Sequence, residues 1–230
     1  MRRSAVIIVS AIAVTALAIS CLSSCQQLFT TSLATALARS TITIPSNLSS
    51  SEASELAAQA KANGDTKLAT ALVSSLVKEI AATSDAGTKA SLEAAAASSA
   101  ITASGIGSVL KSLSSTDLTT ITPATAQSLL ATIQAGATTD VLTALSYVDP
   151  TTGLSAAKSG LSSTDYLMAA VVVAANIVPT GATLSSVNAA SLSAANPTQY
   201  ALAQNLLNQA STLAGGSNSL ISSLGSSFSI

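Results

Sequence analysis

The stretch Asp65-Thr66-Lys67-Leu68-Ala69-Thr70-Ala71-Leu72-Val73-Ser74-Ser75-Leu76-Val77-Lys78-Glu79-Ile80-Ala81-Ala82 carries its large apolar residues on a single stripe. Leu68, Ala69, Leu72, Val73, Leu76, Val77 and Ile80 recur every three or four residues, opposite Lys67, Ser74, Ser75, Lys78 and Glu79. That interval matches the 3.6-residue turn and predicts an amphipathic helix with one face in a core. Just upstream, Ser50 or Ser51 can cap free amides, Glu52 and Glu55 complement a positive helix end, and Gly64 supplies a stop. Two helices joined across Gly64 and Asp65 predict an antiparallel hairpin.

Working outward, residues 87–113 read as one long helix whose middle, from Ala94 to Ser108, is mostly Ala, Ser and Gly. Gly105 and Gly107 within it read as a helix crossing or a break, with the floor of a ligand groove as the functional alternative. Thr122-Pro123 opens a helix to Gly136, with Ala126, Leu129, Leu130 and Ile133 inward. A short helix from Thr139 or Asp140 to Val148 ends at a turn over Asp149–Gly153. Residues 163–178 are apolar on every face. The branched valines Val171, Val172 and Val173 permit a strand, but length, the Ser163-Thr164-Asp165 start and the Pro179 stop favour a central helix whose Asn176 bonds to backbone. Further helices are expected over Ser185–Ala195 and from Asn196-Pro197 to Gly215, the latter with Tyr200, Ala203, Leu206, Leu207, Ala210 and Leu213 inward. Leu113-Ser114-Ser115-Thr116-Asp117 echoes Leu161-Ser162-Ser163-Thr164-Asp165, which a repeated Ser-rich capping sequence explains without duplication.

The fold class is therefore all-α: a compact, Ala-rich bundle of about seven or eight antiparallel helices, with helical-hairpin repeats as a minority option. Composition agrees. Aromatic residues make up 2% of the chain and there is no Trp, whereas sheet surfaces favour aromatic and branched side chains. The mean hydropathy of +0.56 comes largely from alanine, and no segment after Cys25 has the ~18 uninterrupted apolar residues of a membrane span.

The N-terminus reads as targeting sequence. Arg2 and Arg3 precede an apolar run from Ala5 to Ile19, and Leu22-Ser23-Ser24 places a bulky aliphatic and two small residues before Cys25. This is the pattern of a bacterial lipoprotein signal, which predicts a signal peptide over 1–24 and a mature chain that begins at lipidated Cys25. Cys21 is the competing cysteine, but only Ala18 stands three residues before it. An ordinary secretory signal or an uncleaved anchor is the other reading. Residues 25–48, broken by Pro45, form a lipidated tether in which Leu28, Phe29, Leu33 and Leu37 space a short amphipathic helix over 28–39. Thr41–Ile44 suits an extended strap. The helical domain then spans 49–214, and 215–230 is a flexible tail in which Leu220, Ile221 and Leu224 could pin a turn.

The stretch Cys25-Gln26-Gln27-Leu28-Phe29-Thr30-Thr31-Ser32-Leu33-Ala34, with Lys89-Ala90-Ser91-Leu92-Glu93-Ala94-Ala95-Ala96 and Ala103-Ser104-Gly105-Ile106-Gly107-Ser108, resembles uncharacterised Ala-rich helical lipoproteins of spirochaetes such as Treponema. The resemblance covers about a quarter of the chain. It implies a helical protein of the cell envelope, and it carries no catalytic residue across.

Chemistry is bounded by what the chain lacks. It has no histidine, hence neither the usual proton shuttle nor the commonest metal ligand, and lipidation of Cys25 would remove the thiol. Ser75-Leu76-Val77-Lys78, Ser108-Val109-Leu110-Lys111 and Ser155-Ala156-Ala157-Lys158 fit a serine/lysine acyl-enzyme pattern, but neither Ser-Asp-Asn nor Lys-Thr-Gly accompanies them. Solvated helix faces explain them more simply. No metal or cofactor site is expected. Charged residues are 8% of the chain; without Arg2 and Arg3, seven basic residues face ten acidic ones, which leaves no footprint for nucleic acid. The expected function is a membrane-anchored, non-catalytic binding or structural domain in the cell envelope, with an envelope protein as partner. The alternative is a carrier or sensor of an apolar small ligand, accessory to a transporter, with the small residues around Ala94 to Gly107 and with Tyr147, Tyr166 and Tyr200 lining its cavity. Gln26 avoids the Asp that retains lipoproteins in the inner membrane of enteric bacteria, so the outer membrane, on its periplasmic or surface face, is favoured.

Overall fold

The computed structural model describes residues 42–114, 123–179 and 189–215, and every regular element among them is helical. The chain divides into two units, Met1–Thr43 and Ile44–Ile230. Of the first, only Ile42 and Thr43 are described. The expected signal with Leu22, Ser23, Ser24 and Cys25, the segment 28–39 and the tail from 216 onward lie outside the described residues.

The second unit contains α1 (Ser50–Asn63), α2 (Thr66–Ala82), α3 (Ala86–Ala103), α4 (Ile106–Ser114), α5 (Pro123–Gly136), α6 (Thr139–Ser146), α7 (Ala156–Ser159), α8 (Ser163–Ile177), α9 (Ala189–Ala195) and α10 (Pro197–Leu213). The fold is all-α. Ten helices among the described residues exceed the seven or eight expected, for two reasons. The helix predicted over 87–113 is divided at Gly105, which takes a left-handed φ of 71° that ends α3 and lets α4 start in a new direction. The single-turn α7 is too short to show a periodicity.

Local chemistry explains the boundaries. The Ser49 hydroxyl accepts from the Glu52 amide while the Glu52 carboxylate accepts from the Ser49 amide, a reciprocal cap that starts α1. Gly64 ends it with φ 62°, and the Asp65 carboxylate accepts from the amides of Lys67 and Leu68 to start α2. The two-residue joint is thus fixed at both of its helix ends. Ser162 and Asp165 form a second reciprocal cap at α8, where the Ser-rich echo was read as a capping sequence.

Two helices organise the packing. Ala96, Ala97, Ser99 and Ala100 of α3 are fully buried, and α1, α2, α6, α7 and α8 all pack against this helix. Side chains this small let neighbouring helices approach closely, and α1 answers with its own buried Ala53, Ala57 and Ala60. Larger residues fill the volume beside the rod: Leu72 and Leu76 of α2 and Leu145 of α6 are fully buried. Each such leucine contributes about 1.5–3 kcal/mol relative to exposure. The second organiser is α8, buried on several faces as its composition predicts, through Tyr166, Ala169, Val172, Val173 and Ile177. Its most extensive partner is α10, which buries Tyr200, Leu202, Ala203, Leu206, Leu207 and Ala210.

Some inward positions need correction. Val77 is only half-buried, and in α5 only Ile133 is buried whereas Ala126, Leu129 and Leu130 are intermediate. Leu213, expected inward, is 45% exposed because it falls in the last turn of α10. Asn176 bonds not to backbone but to a side chain, its amide donating to Gln199 Oε1 at 3.1 Å and so tying α8 to α10. The helix expected over Ser185–Ala195 is described from Ala189 onward.

Gly136 marks a close crossing. A Cβ at this position would lie 2.5–2.7 Å from the backbone O, C and Cα of Ser104, so the end of α5 rests on the joint between α3 and α4. The obstacle is backbone and cannot rotate away. Gly136→Ala is expected to lower unfolding free energy by about 1–3 kcal/mol, the usual cost of overpacking, as measured by urea denaturation.

Candidate functional site

A groove of about 520 Å³ opens where four segments of the second unit meet. The last turn of α1 contributes Lys61, Ala62, Asn63 and Gly64, and Thr66 comes from the start of α2. From the α3 to α4 joint come Ile101, Thr102, Gly105, Gly107, Ser108 and Lys111, and α8 adds Met168. The volume falls within the range of about 300–1,000 Å³ common for small-molecule sites.

The left-handed Gly105 makes this groove by turning α4 away from the line of α3. Gly105 is the break read from the sequence, and both glycines line the groove. Gly107 differs from Gly105 physically. It sits within α4, has no left-handed φ, and a Cβ added there would meet nothing within 4 Å.

Lys61 is held on one side by Asp165, with Nζ to Oδ1 at 2.7 Å, joining α1 to α8. The pair is unequal in exposure: the lysine side chain is 47% exposed, the aspartate 6%. Burial by itself would raise the Asp165 carboxyl, but the hydrogen bond from Lys61, the amide and hydroxyl of Ser162, and the Lys61 charge together hold it below the usual carboxylate value. Nothing in the sequence spacing announced this pair, which lies 104 positions apart. Asp165 was legible only as a first-turn acid.

The other residues singled out from the sequence are dispersed. Tyr166 is fully buried with its hydroxyl 3.0 Å from Ser159 Oγ, and Tyr200 packs with Ile177, Val178 and Leu192. Tyr147 caps the end of α6, where burial and the Glu93 and Asp140 carboxylates raise its phenol. None of the three tyrosines lines this groove. Burial raises the Glu93 carboxyl too, with the Lys89 charge opposing.

The serine/lysine pairs are likewise scattered. Ser108 donates its hydroxyl to Gly105 O at 2.7 Å, Ser155 starts α7 without a side-chain cap, and Lys78 and Lys158 are exposed. Only Ser108 and Lys111 belong to the groove. Among the described residues no buried side-chain nitrogen or oxygen lacks a partner, and no three His, Cys, Asp or Glu side chains gather as metal ligands. No helix among them is long and apolar enough to cross a membrane.

Other polar links hold the helices around the groove. Gln134 donates to Ala175 O at 2.9 Å and Val178 O at 2.8 Å, serving the last carbonyls of α8, and Ser74 donates to Asp140 at 2.6 Å between α2 and α6. The 149–153 turn is fixed by Asp149 Oδ1, which accepts from the Thr151 amide and from Asn205 of α10.

No protein-family model, curated protein or solved structure matches this chain.

The Asp165 cluster generates a pH dependence. A carboxyl whose folded pKa lies below its unfolded value stabilises fully above the unfolded value and loses that contribution as pH falls through the folded one. Unfolding free energy should therefore decline below about pH 4, the ordinary range of aspartate. Asp165→Asn is expected to cost about 1–3 kcal/mol at neutral pH and to flatten this acid limb, as followed by urea unfolding between pH 7 and pH 2.

Proposed function

We propose that this chain is a bacterial lipoprotein, anchored in the cell envelope through acylated Cys25, whose helical body binds a partner and catalyses nothing. The observation that carries the reading is the order Arg2-Arg3, apolar Ala5–Ile19, Leu22-Ser23-Ser24, Cys25. The resemblance to helical lipoproteins of spirochaetes supports the same address. Gln26 after the modified cysteine favours the outer membrane, on its periplasmic or surface face.

Anchoring supplies the mechanism. A tethered domain meets other envelope proteins in two dimensions, so even weak contacts gain from a raised effective concentration. The absence of histidine and the fully partnered buried polar groups among the described residues support binding over catalysis. Ser, Thr, Asn and Gln far outnumber the charged residues, which are 8% of the chain.

A second reading, carriage of a small ligand, is favoured by the groove between α1, the α3 to α4 joint and α8. In that reading the anchor keeps the carrier beside a transporter.

Mass analysis of natively expressed material tests the anchor. The expected mature N-terminus is Cys25 carrying thioether-linked diacylglycerol, and the protein should incorporate an alkyne-palmitate label. Cys25→Ser should abolish labelling, whereas Cys21→Ser should not. Material that retains Met1 without an acyl adduct would falsify the reading.

A further inference from the structure

Residues 44–48, at the start of the second unit, differ from the described joints between helices. Those joints are pinned by hydrogen bonds: Asp65 caps α2, Thr83 bonds back to α2, Asp85 caps α3, and Asp149 and Ser162 hold the turns on either side of α7. Among the described residues, none of 44–48 makes a hydrogen bond through backbone or side chain. Pro45, Ser46 and Asn47 are exposed, and Asn47 takes a left-handed φ of 78°, which no other described residue except glycine does. An endoprotease holds its substrate as an extended strand and pairs with the substrate backbone, so it needs a segment that is both exposed and without partners.

A cut there leaves the body whole. Leu48 is 9% exposed, and with buried Ala53 it occupies the two positions of a hydrophobic staple around the reciprocal cap of Ser49 and Glu52. The start of α1 is thus secured by residues 48–53, downstream of the exposed segment. Charge limits the kind of protease. Between Arg39 and Glu52 no side chain is charged, so an enzyme that selects basic or acidic residues has nothing to engage, whereas one that accepts small uncharged residues does.

We propose that residues 45–48 are a processing site, at which an endoprotease selective for small uncharged residues separates the helical body from its lipid tether. Water adds across the bond from Ser46 to Asn47, leaving a carboxylate on Ser46 and a free amine on Asn47. The proposal rests on the anchoring reading and adds to it a means of release.

Membranes from cells that express the natural full-length chain test this, treated with elastase, which cuts after small uncharged side chains. Alanine and serine occur throughout the chain, so sequence alone offers that enzyme many bonds and access selects among them. The first cut is expected after Ser46, freeing a body whose mass begins at Asn47. It should melt within about 2 °C of the uncut protein, a change of under about 1 kcal/mol. Ser46→Asp alters an exposed side chain without hydrogen bonds, so the fold is kept, and it should slow the first cut at least about tenfold, a charge being worse placed in a small apolar pocket than a surplus methylene. In untreated cultures a released form without an acyl group, beginning within residues 46–48, should accompany the anchored one. A first cut at any other bond, unfolding on release, an unslowed Ser46→Asp variant, or untreated cultures that hold the anchored form alone would each overturn the proposal. An unacylated chain that retains Met1 defeats the anchoring reading while the position of the elastase cut is still read. Acylated Cys25 with a first cut elsewhere defeats only the processing site.

Discussion

Close approach of helices at α3 is the constraint on which the architecture depends. Ala96, Ala97, Ser99 and Ala100 are fully buried because five neighbouring helices press against a rod with almost no side-chain thickness. Packing of this kind draws on dispersion between backbones and methyl groups more than on interlocking large side chains. The bulk it lacks is supplied at the periphery, by Leu72, Leu76 and Leu145, and by the more conventional apolar core that α8 forms with α10. Buried polar groups fit the same plan. Ser99 turns its hydroxyl to Ala95 O at 2.8 Å, so that a polar side chain occupies the rod without needing a partner from outside it.

The groove is a by-product of that geometry. α3 runs through the crowded centre until Gly105 breaks it, and the change of direction leaves room between α4, the end of α1 and α8. Gly136 sits against the backbone of Ser104 on the same joint, so the break is braced from one side and lined with groove residues on another. Asp165 contributes twice, as the third residue of the α8 cap and as the anchor for Lys61. The same carboxylate thereby connects a helix start, an interhelical link and a wall of the candidate site.

Much of the fold was legible because its signals are local. The stripe from Leu68 to Ile80, the stop at Gly64, Pro123 and Pro197 at helix starts, and the all-round apolar run of α8 each need only a few consecutive residues to read. What escaped was non-local or sterically subtle. Gly105 was legible as a break or a crossing, but Ala94–Ser108 is too uniform for a periodicity to reveal the change of direction that follows it. The inward set of α5 was over-read because its neighbours cover only part of it, chiefly around Ile133. Lys61 with Asp165, Ser74 with Asp140 and Asn176 with Gln199 are pairs of ordinary polar residues that only the folded chain brings together. The groove was half visible, since its two glycines stood out in sequence whereas Lys111 read as part of a solvated face and Lys61 drew no reading.

An alanine side chain has no rotamers to lose. Fixing Ala96, Ala97 and Ala100 in the middle of the molecule therefore costs only backbone entropy, whereas the same positions filled by methionine or glutamine would each carry up to about 1.5–2 kcal/mol of additional ordering cost. A central helix built this way can be immobilised with modest attraction per residue, which suits a protein that has few aromatic side chains with which to pull its parts together.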